Sequence, residues 1–253
     1  SGQGGPDRGH ILVLRDITFD IAPGESIGIC GPTGAGKSTL INIVTRYYQI
    51  DSGRVLIDGQ DLSTLSQESL RKQIGVVLQE AFLFTDTVMN NLRYAREGAT
   101  DDDAIAAAKK ANAHDFITAL PEGYDTMLTE RGANLSQGQR QMITIARAMV
   151  AEPKMMILDE ATSNVDTRTE KLIQDGMRAL MDDKTSFSIA HRLATIRDSN
   201  RIMVLNGGAI VEMASHDELM DARGFYYSLY MSQFKGKGPS DGAEAGTADF
   251  VST

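Results

Sequence analysis

Nine residues, GPTGAGKST at 31–39, constrain this chain more than any other stretch. They match G-x-x-x-x-G-K-[ST] through Gly31, Gly36, Lys37 and Ser38. An apolar run, SIGIC, stands directly before them, and KSTLINIVTRYY follows with helical periodicity. A strand that turns through glycines into a helix is the arrangement a phosphate-binding loop requires. Glycines let the backbone curl round an anion without Cβ clashes, and the amides at the helix start face it. The expected nucleotide-binding set is Gly31, Pro32, Thr33, Gly34, Ala35, Gly36, Lys37, Ser38 and Thr39. Lys37 is placed to reach the β- and γ-phosphates, and the Ser38 hydroxyl to ligate Mg²⁺.

A partner for this loop lies far along the chain, in MMILDEATS at 155–163. Four apolar residues read as a buried strand, and Asp159 emerges at its C-terminal end, where ligands sit in open α/β sheets. Asp159 is suited to hold Mg²⁺ through water. Glu160 follows at once. A second carboxylate beside a metal-binding one is costly unless it has a task. The task available is to orient and polarise an attacking water. A helix-capping acid pair on a loop is the bland alternative; the strand before it and the phosphate loop upstream favour catalysis.

Further strand-like runs alternate with helical patterns. GRVLIDG (53–59), IGVVLQ (74–79), KMMILD (154–159) and KTSFSIA (184–190) read as strands, and RIMVLNGGAIVEM (201–213) as a hairpin turning at Asn206, Gly207 and Gly208. Helices are expected at about 36–47, 133–150, 167–181 and 216–222. This alternation predicts an α/β fold: a mostly parallel sheet with helices on both faces, plus an antiparallel β part. Residues 85–152 lack a convincing strand and read as an inserted helical subdomain. The expected organisation is a linker at 1–10, a nucleotide-binding core in two parts at 11–84 and 153–234, and a disordered Gly-, Ala- and Asp-rich tail at 235–253.

Composition narrows the function. The net charge of −9 argues against a broad nucleic-acid face. No run approaches the ~18 apolar residues of a membrane span. The single Cys30 excludes an internal disulfide and a cysteine metal cluster, and fits a reducing, intracellular setting. The polar, Gly-rich N-terminus reads as a linker rather than a targeting segment.

A second helix start, ANLSQGQRQM at 133–142, raises a separate question. Ser136 sits at an N-cap position, Gly138 lies between Gln137 and Gln139, and the apolar pattern Met142, Ile143, Ile145, Ala146, Met149 follows. On its own it reads equally as a plain capped helix or as a second anion site.

GPTGAGKST, LSQGQ and MMILDE, in that order, resemble the nucleotide-binding domain of an ATP-binding-cassette (ABC) transporter, over about Ile11 to Phe234. Gln79 resembles that family's Q-loop glutamine, SNVD at 163–166 its D-loop, and His191 in IAHRL its switch histidine. The resemblance implies a P-loop NTPase core and an ATPase coupled to transport, with ATP and Mg²⁺ as cofactors. Two such domains, alike or unlike, would pack head-to-tail round two ATPs. Ser136, Gly138 and Gln139 would then meet the neighbour's nucleotide, and Asp166 would shape the seam. Ser38, Gln79 and Asp159 would organise Mg²⁺, Glu160 would activate water, and His191 would bond the γ-phosphate.

The exporter branch is the nearer likeness, through TERGANLSQGQRQMITIARAM and AFLFTDTVMNNLRYA. It implies a membrane-spanning domain as partner and a place on the cytoplasmic side of the cell membrane. Glu130 would touch that domain. Phe82, Leu83 and Phe84 are expected either to line its docking groove or to be core. Two departures stand out: Gln137 replaces the family's usual Gly, and His10 is the only candidate within 1–14 for the family's adenine-stacking aromatic. The membrane domain is expected on a separate subunit or on a longer chain from which this domain was excised. A soluble ABC ATPase usually carries two cassettes or a long coiled-coil insertion, neither of which is seen. A module that binds ATP only to dimerise is disfavoured by Glu160 and His191.

Overall fold

The computed structural model describes residues 13–78, 81–160, 165–190 and 193–235, without the side chains of 160, 234 and 235. Gln79, His191, His10 and nearly all of the C-terminal tail lie outside the described residues.

The chain runs β1 (Ser26–Cys30), α1 (Lys37–Val44), β2 (Leu56–Ile57), β3 (Gln60–Asp61), α2 (Gln67–Gln73), β4 (Ile74–Val77), α3 (Val88–Arg93), α4 (Asp101–Lys110) and α5 (His114–Thr118). It continues through α6 (Gln137–Val150), β5 (Met155–Glu160), α7 (Thr167–Met181), β6 (Thr185–Ala190), β7 (Arg201–Asn206), β8 (Ala209–Ala214), α8 (His216–Ala222) and α9 (Phe225–Lys235). Six strands form one sheet in the order β4-β5-β6-β1-β7-β8. All its pairings are parallel except β7 with β8. A two-stranded antiparallel ribbon, β2 with β3, stands apart from it.

The central strands are nearly all apolar because both faces are covered. On one face, Ile27, Ile29, Ile157, Phe187, Ile189, Met203 and Leu205 pack with Leu40, Ile41 and Val44 of α1. On the other, Val77, Met156 and Leu158 pack with Ile143 and Ala146 of α6 and Ile173 and Met177 of α7. Further along that face Cys30, Ile202 and Val204 meet Leu219 of α8 and Tyr226 of α9. Burial pushes the Cys30 thiol up to about 12, so it packs as a small neutral hydrophobe.

Helix starts follow local chemistry. Thr100 with Asp103, Ser136 with Gln139, and Ser215 with Glu218 form reciprocal capping boxes on α4, α6 and α8. Gly207 and Gly208, with φ 55° and 81°, make the two-residue turn between β7 and β8. The helix expected to reach residue 47 ends at Val44, because Arg46 turns left-handed at φ 58°. The run 53–59 keeps only two strand residues, since its Asp58-Gly59 turn comes immediately after them. α9 has no counterpart among the expected helices. Leu92, Ala104, Ala108 and Ile117 of the helical region share one cluster with the sheet residues Val77, Met156 and Leu158, and Ala99, Ala107 and Val150 form a small cluster of their own.

Candidate nucleotide site

The loop between β1 and α1 is shaped by close backbone packing. Gly31 has φ 148°, and a Cβ there would lie 2.1 Å from the Leu205 carbonyl oxygen of β7. Gly36 has φ 104°, and its Cβ would meet Leu14 Cδ2 at 2.5 Å. The loop is braced within itself and from the β7–β8 turn: Ala35 N–H donates to Pro32 O at 3.1 Å, and Gly208 N–H donates to Ala35 O at 3.2 Å. Gly36 is the N-cap of α1, and no side chain caps that helix start. Pro32, Thr33, Gly34 and Ser38 are exposed, and open space surrounds Gly34 where a Cβ would be. The result is a helix N-terminus with open amides, which favours an anion.

Lys37 lies in the first turn of α1 and folds back over the loop. Its Nζ donates to Gly31 O at 2.7 Å and Pro32 O at 3.0 Å. Burial lowers the ammonium below its ordinary value, while Cys30 and Asp159 pull the other way. Lys37 therefore shares an electrostatic neighbourhood with Asp159, at the end of β5. The sheet register sets Asp159 beside Ile189 and Glu160 beside Ala190. Strands β4 and β6, which flank β5, run parallel to it, as does β1 on the far side of β6, so all four end at one edge. The phosphate loop and the acidic pair thus meet at that edge, the ligand-bearing one of a parallel sheet.

The second helix start lies elsewhere. Ser136 caps α6: its hydroxyl accepts from Gln139 N–H at 3.2 Å, and Gln139 Oε1 accepts from Ser136 N–H at 2.9 Å. The box engages those two N–H groups and leaves the ones of Gln137 and Gly138 at the helix start. Gly138 packs against Val165 and Thr169, at the beginning of α7. Asp166 caps α7, accepting from Arg168 N–H at 3.1 Å and Thr169 N–H at 3.0 Å. Bonds from the Thr169 side chain and backbone hold its carboxyl below the usual range.

The aromatic run divides. Leu83 is 1% exposed and belongs to the core, so it cannot line a groove, whereas Phe82 is 52% exposed. Phe84 lies between Phe82 and Tyr94, with ring centroids at 5.1 and 4.4 Å. Beneath it is Arg147 of α6, which donates to Asn91 O at 2.9 Å, Asn91 Oδ1 at 2.8 Å and Phe82 O at 2.9 Å. Burial pulls this guanidinium down to about 10, still charged at neutral pH. Arg147, Asn91 and Thr169 escaped the sequence reading. The one available signal was a lone Arg inside the apolar stretch ITIARAMV. Glu130 is exposed, in a single helical turn, Glu130–Gly132, ahead of α6.

A parallel sheet, a glycine loop against an uncapped helix, and a lysine and an aspartate at the same edge define a P-loop nucleotide-binding domain. The comparisons with known proteins agree. The family model described as ABC transporter matches residues 14–163. The chain is 52% identical over 231 residues to an uncharacterized ABC transporter ATP-binding protein of Bacillus subtilis, covering 91% of this chain and 38% of that protein. It is 51% identical over 217 residues to a fatty acid ABC transporter ATP-binding/permease protein of Mycobacterium tuberculosis, covering 86% of this chain and 34% of that one. A solved structure of a bacterial Atm1-family ABC exporter with ATP bound aligns with TM-score 0.84 at 44% identity, over 94% of this chain and 41% of that chain. This chain belongs to the ABC transporter family, a family that binds ATP. It spans between 34% and 41% of the length of these relatives.

Proposed function

We propose that the chain is the ATP-binding and ATP-hydrolysing domain of an ABC exporter, working as one half of a head-to-tail pair closed round two ATPs. One observation carries the reading. The chain has two separate helix starts with amides open to an anion, the uncapped one of α1 and the boxed one of α6, and the latter packs on α7. Two copies, or two related halves, would each complete the other's site. The names of the relatives and the ATP-bound exporter likeness support the same view. On this reading 11–84 and 153–234 form the ATP-binding core, 85–152 carries the signature helix, and 1–10 and 235–253 are linker and tail.

Each group has a role. The loop amides and Lys37 hold the β- and γ-phosphates once the ammonium leaves the Gly31 and Pro32 carbonyls. The hard oxygens of Ser38 and Asp159 fit Mg²⁺ and would hold it, with Gln79 joining them. The chemistry it would supply there is neutralisation of the charge developing on the phosphoryl group. Glu160 takes a proton from water as its oxygen attacks the γ-phosphorus, and the bond to the β,γ-bridging oxygen breaks, giving ADP and phosphate. His191 holds the γ-phosphate in line. Ser136 and the N–H groups of Gln137 and Gly138 meet the partner's γ-phosphate, so hydrolysis removes the tie between the halves.

The partner that moves the cargo would be a membrane-spanning domain, as the ATP-binding/permease name of one relative suggests. On this reading the domain would sit on the cytoplasmic side of the membrane. Among the described residues no helix is long and apolar enough to cross one. The exposed Phe82 and Tyr94, with Phe84 between them, are the groove proposed for that domain. The test is Glu160→Gln. ATP binding should persist, hydrolysis should collapse, and an ATP-bound dimer should accumulate in light scattering. Unchanged turnover removes Glu160 from its role. No association with ATP, alone or with a sister half, ends the pairing model.

A further inference from the structure

The starts of α6 and α7 meet with no room for a side chain between them. Gly138 is buried at the second position of α6. A Cβ on it would lie 2.3 Å from Thr169 Cγ2 and 3.4 Å from Val165 Cγ1. The backbone of the first α6 turn therefore rests directly on the Thr169 methyl. That methyl has little freedom. Threonine is branched at Cβ and stiff at χ1, and the Thr169 N–H is bonded to the Asp166 carboxyl that caps α7. α7 is held along its length too. Asn112 Nδ2 donates to Leu172 O at 3.1 Å, and a Cβ on Gly176 would lie 3.1 Å from Ala111 O. In sequence α7 follows β5, the strand of Asp159 and Glu160, after a few residues.

We propose that Thr169 is a positioning residue that seats the signature turn of α6 on α7, so that the amides offered to the partner's nucleotide take their place from the helix that follows this chain's own catalytic strand. The proposal rests on the head-to-tail reading above. Gly138 is then glycine for a reason inside its own subunit: any side chain there would lift the first α6 turn off Thr169. Displacements of about 1 Å at a reacting centre cost on the order of 100-fold in rate. The binding of ATP to the P-loop of an unpaired chain uses other residues and does not feel this contact.

Four proteins test it, each the 253-residue chain: wild type, Gly138→Ala, Thr169→Ser and the double variant. Serine keeps the hydroxyl and the N–H bonded to Asp166, and removes only the methyl that an added Cβ at position 138 would strike. For Gly138→Ala, the affinity of the unpaired chain for a fluorescent ATP analogue, measured at protein concentrations where light scattering shows a monomer, should match wild type while kcat falls about 100-fold. In the double variant kcat should recover at least to the level of Thr169→Ser alone. Wild-type turnover by Gly138→Ala overturns the proposal, as does a folded double variant as slow as Gly138→Ala. If Gly138→Ala does not fold, Thr169→Ser decides. A several-fold lower kcat at unaltered analogue affinity supports the seat, and wild-type kcat overturns it. If the wild type itself neither associates nor hydrolyses ATP, the pairing model has failed and the seat falls with it. If wild type works and the variants do not follow this pattern, only the seat has failed.

Discussion

Arg147 offers the sharpest test of how the helical region is held to the core. It is a mostly buried cation whose described partners are carbonyl oxygens: Asn91 O, Asn91 Oδ1 and Phe82 O. Its guanidinium also lies 5.4 Å from the centre of the Phe84 ring. Asn91 is itself a hub, accepting from Phe84 N–H at 2.9 Å and donating to the carbonyls of Phe84 and Thr87 at 3.0 Å each. Arg147→Met keeps most of the volume and removes the donors. The Phe82 carbonyl is exposed and rehydrates, so its loss is small. The two bonds to Asn91 are partly buried, and charged hydrogen bonds contribute roughly 1.5–3 kcal/mol each. Relief of the cation's desolvation returns part of that. The net loss is about 2–4 kcal/mol, or roughly 5–15 °C in Tm for a domain of this size. Calorimetry on wild type, Arg147→Met, Asn91→Ala and the double variant measures both the loss and the coupling. The expected coupling energy is at least about 1 kcal/mol. A Tm within about 2 °C of wild type, or additive losses, would show that the clamp does not hold this segment.

Two further outcomes are expected. Lys37→Ala should abolish measurable binding of a fluorescent ATP analogue while Tm barely moves, because the described bonds of Lys37 go to its own loop, at Gly31 and Pro32; near-normal affinity would defeat the P-loop assignment. The Arg201 guanidinium bonds both oxygens of Glu25 and holds its carboxyl below the ordinary 4.5. That contribution is present above the ordinary value and lost as pH falls through the lower folded one. The Tm gap between wild type and Arg201→Gln should therefore shrink below about pH 4.5, and a gap constant down to pH 3 or so would refute the pairing.

The short-range features of this protein were legible in its sequence. Strand–loop–helix at 26–44, the buried strand ending at Asp159, the capping serine at 136, the helix at 167–181 and the Gly207-Gly208 hairpin all rest on chemistry within a few neighbouring residues: glycine backbone, caps, and apolar period. Contacts between distant segments were decided only by the tertiary structure. Strand order, which gathers the ends of β4, β5, β6 and β1 at one edge, depends on pairing between runs far apart in the chain. So does the fate of Phe82, Leu83 and Phe84, three similar side chains of which one became core and one surface. The partners of Arg147 lie on α3 and the segment before it, and the methyl that excludes any side chain at Gly138 comes from α7. A sequence displays which groups are available for such contacts, but steric exclusion and buried hydrogen bonding act between surfaces that exist only once the chain has folded.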